Sequence, residues 1–135
     1  PIVFQSTPAM ALDFILNSVK MTKGSEVFIP KLRAYRVEDL KDALMELLDV
    51  NDEQIIGVRE GEKMHEILIN EDEVKNTWEL DDNYLIFNRT PDEKTLSLYS
   101  GLRSPKNLSK YSSETTSKIS KNELKEILMK TGLIK

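Results

Sequence analysis

The segment Gly57–Glu66 combines the residue types that a nucleotide needs. Arg59 would leave the end of a predicted strand, Gln54–Val58, and Glu62 would open a predicted helix, Glu62–Ile69, directly after a glycine. Arginine and the amides at a helix start suit phosphate oxygens, whereas a carboxylate serves better against the hydroxyls of a ribose. Arg59 and Glu62 could therefore hold the diphosphate and ribose of one nucleotide. The alternative is plainer: Glu62 is a helix-start charge and Arg59 a surface ion-pair partner.

Other catalytic chemistries lack their residues in this chain. It contains no glycine-rich dinucleotide loop and no phosphate-binding P-loop. It has no cysteine, and its one histidine, His65, is followed four residues later by Ile69 rather than by a second zinc ligand. We expect no metal site and no catalytic residue on the chain. His65 fits a surface or packing role, or an accessory polar contact.

The elements that would position the segment can be predicted from periodicity and caps. Thr7-Pro8 begins a first helix, and Ser25–Ile29 is a short strand closed by Pro30. Apolar residues recur at three- and four-residue steps over Val37–Leu48, which predicts a core-facing helix. With the strand Gln54–Val58 this order predicts a βαβ unit with parallel strands, and the fold class α/β.

The remaining chain is predicted to be less regular. Thr77–Leu80 and Tyr84–Phe87 flank a turn and predict a hairpin. We also expect a mostly irregular surface segment over about 81–119. Ser120 and Glu123 have the spacing of a capping box, so a last helix should span about 120–131. We expect residues 1–135 to form a single domain.

Charge and composition exclude several classes of partner. The net charge is −4 and no run of apolar residues is long enough to cross a bilayer, so neither nucleic acid nor a membrane is the expected partner. The absence of cysteine is compatible with the reducing cytoplasm, where we expect the protein.

Gly57–Glu66 reads Gly-Val-Arg-Glu-Gly-Glu-Lys-Met-His-Glu, which resembles a signature of the UDP-N-acetylglucosamine 4,6-dehydratases, members of the extended short-chain dehydrogenase/reductases. Three further strings are similar to that family: Ala11–Leu16, Gly24–Lys31 and Tyr111–Ser113. The chain departs from the family at Val3, where family members carry an arginine. The resemblance covers nearly the whole chain and is weakest between residues 81 and 110.

The resemblance implies that the chain is the C-terminal, substrate-binding lobe of such an enzyme, with the Rossmann half absent. It implies that Arg59 binds the UDP diphosphate and that Glu62 approaches the ribose. The family's NAD(P) loop and Tyr-x-x-x-Lys pair belong to the N-terminal lobe, so we expect no cofactor here and no catalysis by this chain alone. The expected partners are a UDP-sugar, the missing Rossmann lobe and further copies in a homo-oligomer.

Two alternatives to a dehydratase lobe remain. The chain could be a free-standing α/β binding or interaction domain derived from such a lobe. It could also be the equivalent lobe of a UDP-sugar epimerase. The first alternative differs from the main hypothesis in whether a UDP-sugar binds, and the second in the reaction that the whole protein catalyses.

Overall fold

A computed structural model describes residues 1–132 and 134. In this part of the chain the elements follow in the order β1 (Ile2–Phe4), α1 (Pro8–Met21), β2 (Val27–Pro30), β3 (Ala34–Arg36), α2 (Val37–Leu48), β4 (Ile67–Ile69), β5 (Thr77–Leu80), β6 (Asn83–Ile86), α3 (Glu93–Ser97), β7 (Tyr111–Ser112) and α4 (Lys121–Lys130). They form two compact units. Unit 1 contains Pro1–Gln5, Arg33–Glu66 and the chain from Ser113 onward, and unit 2 contains Ser6–Leu32 and Ile67–Ser112.

Unit 1 is built from a short sheet and two helices. Strands β1 and β3 pair antiparallel, with Val3 opposite Tyr35. Helix α2 packs against α4 around three buried residues, Ala43, Ile119 and Leu124. The apolar positions of α2 recur at the helical period, so one face of the helix supplies this core, and none of its acidic residues is buried.

Unit 2 contains the larger sheet. Its strand order is β2-β6-β5, and both pairings are antiparallel. The core below it is formed by Leu80, Leu85, Phe87 and Tyr99, with the Phe87 and Tyr99 rings meeting edge to face at 5.8 Å between centroids. Strands β4 and β7 form a separate antiparallel pair.

The predictions that rest on caps and helical period are confirmed. Helix α1 begins after Thr7, whose hydroxyl accepts the Met10 N–H, and α2 spans the predicted residues Val37–Leu48. Both hydrogen bonds of the Ser120–Glu123 capping box are present at the start of α4. The hairpin is present as β5 and β6, joined by Asp81-Asp82.

The predicted βαβ unit is wrong. Residues 54–58 form neither helix nor strand, and the neighbour of β2 is the antiparallel strand β6. Ile55 is 88% exposed, so this apolar run does not enter a sheet.

The predicted helix Glu62–Ile69 is also wrong, because a turn and then strand β4 occupy these positions. The chain is therefore mixed α and β with antiparallel strand pairs. Within the segment 81–119 lie β6, α3 and β7.

Helix α1 has an outward apolar face. None of its residues is buried, although Phe14, Ser18 and Met21 are partly covered on one side. On the other side Leu12, Ile15, Leu16 and Val19 are each more than half exposed. An apolar stripe of this kind on a folded protein marks a surface that associates with something else.

In residues 1–132 and 134, no helix combines the length and hydropathy needed to cross a membrane.

We predict that this stripe binds hydrophobic dye. Replacing both Leu12 and Val19 with Gln should reduce the fluorescence of a bound naphthalene-sulfonate dye and reduce concentration-dependent light scattering, because the stripe loses two of its four apolar members. The melting temperature should change little, since neither side chain is buried. Asn17→Gln, also exposed on α1, should leave dye binding unchanged. Undiminished dye binding by the double variant would show that the dye site lies elsewhere.

Ion pairs join the two helices of unit 1. Glu46 on α2 accepts hydrogen bonds from Lys121 and Lys125 on α4, the latter at 2.7 Å. These two ammonium groups lower the pKa of Glu46 from 4.5 to about 2. Because the folded-state pKa is depressed, the contribution of Glu46 to stability is present above pH 4.5 and is lost as the pH falls toward 2.

We therefore predict a pH-dependent effect of Glu46→Gln. The variant should melt at a lower temperature than the wild type at pH 7, and the difference should shrink as the pH is lowered from about 5 to 2.5. Thermal melts followed by circular dichroism measure it. Glu126→Gln is the control, because Glu126 is exposed on α4 and makes no ion pair in the described part of the chain. A difference that stays constant across this pH range would refute the assignment.

Candidate functional site

The predicted nucleotide-binding motif lies in an exposed loop of unit 1. Residues 49–64 are all exposed, and they contain no helix or strand. Gly57 and Gly61 have φ angles of +77° and +80°, in the region that side chains disfavour. The two glycines thus bend the chain on either side of Arg59.

Arg59 and Glu62 are brought together by a turn. The Glu62 N–H donates to the Arg59 carbonyl at 3.0 Å, and Gly61 has the positive φ of the third position of a type II turn. The Glu62 carboxylate in addition accepts the Arg59 N–H at 3.0 Å. Arg59 and Glu62 are therefore the first and last residues of a β-turn, where the sequence predicted the start of a helix.

The Arg59 guanidinium is available to a ligand. Within residues 1–132 and 134 it makes no ion pair and no side-chain hydrogen bond, and Lys63 nearby in the chain is likewise without an ion pair. The alternative in which Arg59 serves as a surface ion-pair partner is therefore not seen. A planar guanidinium with free donors on an exposed loop suits a diphosphate, which it can contact through two parallel hydrogen bonds.

The C-terminal end of the motif is anchored to strand β1. The Ile2 N–H donates to the Met64 carbonyl at 2.7 Å, and His65 lies beside Ile2 in a parallel bridge. The Glu66 carboxylate accepts the Phe4 N–H at 2.8 Å. The last residues of the motif thus hold the loop to the body of unit 1.

Ser113 completes this anchor and was not predicted as a site residue. Its hydroxyl is fully buried; it accepts the Glu66 N–H at 2.8 Å and donates to the Ile2 carbonyl at 2.6 Å. Its own N–H donates to the Glu66 carbonyl at 2.8 Å. The one sequence signal was the similarity of Tyr111–Ser113 to a family string, because nothing in the spacing links residue 113 to residue 66.

His65 is partly exposed and lies beside an acidic side chain. Its Nε2 lies 3.8 Å from the Glu114 carboxylate, and its side chain is 36% exposed. No group of three or more His, Asp or Glu side chains with metal-binding geometry occurs among the described residues. Val3, at the family's arginine position, pairs with Tyr35 on β3 and offers no polar group to a ligand.

Two cavities among the described residues lie within unit 2. One, of about 500 Å³, lies between Lys23–Glu26 and the stretch 87–99, and the other, of about 590 Å³, lies beside α1 and Pro30–Leu32. Burial and the neighbouring Glu26 raise the pKa of Tyr99, in the first cavity, to about 12. Neither cavity is lined by Arg59 or Glu62.

Comparison with protein families gives one match to more than half of the chain. A family model described as "Polysaccharide biosynthesis protein" matches residues 4–88, a range that includes the whole Gly57–Glu66 motif.

The curated relatives include enzymes of two classes. A UDP-N-acetylglucosamine 4,6-dehydratase (inverting) of Campylobacter jejuni is 40% identical over 73 residues, which are 54% of this chain and 21% of the relative. A UDP-glucose 4-epimerase of Rickettsia massiliae is 28% identical over 121 residues, which are 88% of this chain and 36% of the relative. The chain thus spans about a fifth to a third of these relatives.

A solved structure shares the fold over nearly the full chain. The X-ray structure of Pen from Bacillus thuringiensis aligns with a TM-score of 0.82 and 28% sequence identity. The alignment covers 97% of this chain and 39% of Pen.

We predict that Ser113→Ala destabilises unit 1 by about 1–3 kcal/mol, because it leaves the Glu66 N–H and the Ile2 carbonyl without their hydrogen-bond partner. Urea unfolding followed by circular dichroism measures the loss. Ser117→Ala is the matched control, because Ser117 lies in the same stretch but is exposed. Its substitution should lower the free energy of unfolding by less than about 0.5 kcal/mol. Equal stability of the Ser113 variant and the wild type would mean that the buried hydroxyl does not hold the loop.

Proposed function

The chain belongs to the polysaccharide biosynthesis protein family, and from this premise we propose that it is the UDP-N-acetylhexosamine-binding lobe of a 4,6-dehydratase. The observation that carries the proposal is the free Arg59 guanidinium, presented by a two-glycine loop with the Glu62 carboxylate beside it. The relationship to UDP-N-acetylglucosamine 4,6-dehydratases and to extended short-chain dehydrogenase/reductases supports the substrate class.

In this proposal Arg59 contacts the diphosphate of the UDP-sugar and Glu62 approaches the ribose. A charge-assisted bond from a guanidinium to phosphate gives most of the affinity of such a contact, while a carboxylate adds a directed bond to a hydroxyl. Binding both groups would fix the position of the nucleotide and leave the sugar free to reach reacting groups elsewhere. These roles are compatible with the exposure of both side chains.

The lobe does not act alone in this proposal. The chain has no glycine-rich loop, and none of Tyr35, Tyr84, Tyr99 and Tyr111 is followed by a lysine four residues later. The residues present therefore do not fit a nicotinamide cofactor, and we place NAD(P) on a Rossmann lobe outside this sequence. The apolar stripe of α1 would be covered in the assembled protein, which we propose to be a homo-oligomer.

A UDP-sugar epimerase is the second candidate, favoured by one observation. The epimerase of R. massiliae matches 88% of this chain, whereas the dehydratase of C. jejuni matches 54% at higher identity. Both reactions use a UDP-sugar, so the proposed roles of Arg59 and Glu62 are shared. Incubating the protein, joined to its cofactor lobe, with UDP-N-acetylglucosamine and following the sugar by NMR distinguishes dehydration from inversion at carbon 4.

We predict that Arg59→Ala weakens UDP binding by about ten- to a hundredfold, the cost of losing a charge-assisted phosphate contact of roughly 1.5 to 3 kcal/mol. NMR titration of the labelled chain with UDP measures dissociation constants in the millimolar range. Arg89→Ala is the control, because Arg89 is an exposed arginine of unit 2 and should not alter binding. A folded Arg59 variant with wild-type affinity for UDP would refute the role of Arg59, whereas a wild type that binds no UDP would favour the interaction-domain alternative.

A further inference from the structure

Glu62 contacts the turn that carries Arg59 in two places. Its N–H donates to the Arg59 carbonyl, and its Oε2 accepts the Arg59 N–H, each at 3.0 Å. The two hydrogen bonds run in opposite directions between the same two residues. They close the turn from both sides and fix the backbone of Arg59 relative to that of Glu62.

Few other contacts restrain Arg59. Residues 51–58, which lead into the turn, form no backbone hydrogen bond within the described chain, and their side chains are exposed. The ion pair of Glu53 with Lys41 on α2 lies six residues before Arg59. Gly61 adopts φ +80° with no atom within 4 Å of the position a Cβ would take, so packing does not impose its conformation. The backbone on the Arg59 side of the motif is therefore held by the turn itself, whereas Met64–Glu66 are held by strand β1.

We propose that Glu62 is a positioning residue for Arg59 in addition to any contact with the ribose. This inference rests on the proposed function, in which Arg59 binds the diphosphate. Oε2 is occupied by the Arg59 N–H, and Oε1 remains for a ribose hydroxyl. Because the turn is closed before the ligand arrives, less conformational entropy is lost when Arg59 engages the diphosphate.

Two ligands separate positioning from direct contact. Uridine has the ribose but no diphosphate. A residue that acts through Arg59 therefore changes the affinity for UDP and leaves the affinity for uridine unchanged. Glu62→Ala should therefore lower the preference for UDP over uridine by about fivefold, the factor expected for the loss of one solvent-exposed hydrogen bond. Glu62→Gln should restore the preference to within about twofold, because the amide oxygen can accept the Arg59 N–H.

The experiment is an NMR titration of the wild type, Glu62→Ala and Glu62→Gln with UDP and with uridine. A fall in the UDP preference of the Ala variant that the Gln variant reverses supports positioning. Equal weakening of both ligands by Glu62→Ala would overturn it, because Glu62 would then act on the ribose alone. An unchanged preference in the Ala variant would overturn it as well.

Hydrogen exchange in the free chain tests the same inference if UDP does not bind and the proposed function fails. The Arg59 amide should exchange about fivefold faster in Glu62→Ala than in the wild type, and Glu62→Gln should restore the slower rate. The Val58 amide has no hydrogen-bond partner in the described chain and serves as the internal control. An Arg59 amide that exchanges at the same rate in all three proteins would overturn the positioning role.

Discussion

The buried hydroxyl of Ser113 joins three stretches of chain that are far apart in sequence. It links Ile2 on the first strand to Glu66 at the end of the motif, and its backbone makes a further bond to Glu66. The Ser113 hydroxyl donates its one proton and accepts one N–H, so this buried polar group is satisfied. The position of the motif loop on unit 1 depends on this connection, since residues 49–64 have few other attachments.

A spacing of three residues brings two side chains together in two different backbone conformations. Residues three apart are neighbours in a helical turn, and they are also the first and last residues of a β-turn. The spacing of Arg59 and Glu62 was therefore enough to predict their proximity, although the predicted helix is a turn with Gly61 in the left-handed region. Of the predicted site, the pair follows from sequence, while the geometry around it does not.

The elements of the fold also differ in how far the sequence predicts them. Helices α1, α2 and α4 are marked by local signals, namely the Thr7 cap, the period of the apolar residues over 37–48 and the Ser120–Glu123 box, and all three were predicted. The strand predicted at Gln54–Val58 failed because an apolar run shows only that a segment could be buried, and here nothing in the described chain covers it. Strands β1, β3 and β4 have three residues each, too few to show an alternating pattern. The anchor through Ser113 depends on contacts across 47 residues and has no local signature.

The exposed stretch before Arg59 has a consequence for the lifetime of the chain. Proteases bind their substrates as extended segments whose backbone groups are free, and residues 51–58 have exposed side chains and no backbone hydrogen bond within the described chain. Arg59 and Lys63 supply the basic side chains that trypsin-like enzymes cut after, on the exposed side of unit 1. The peptide bond following Arg59 lies inside the turn Arg59–Glu62, so its cleavage under native conditions requires the turn to open, while the stretch before it is already free of backbone hydrogen bonds. A ligand bound to the Arg59 guanidinium would shield that peptide bond. Ligand binding would therefore slow proteolysis of the chain at this loop.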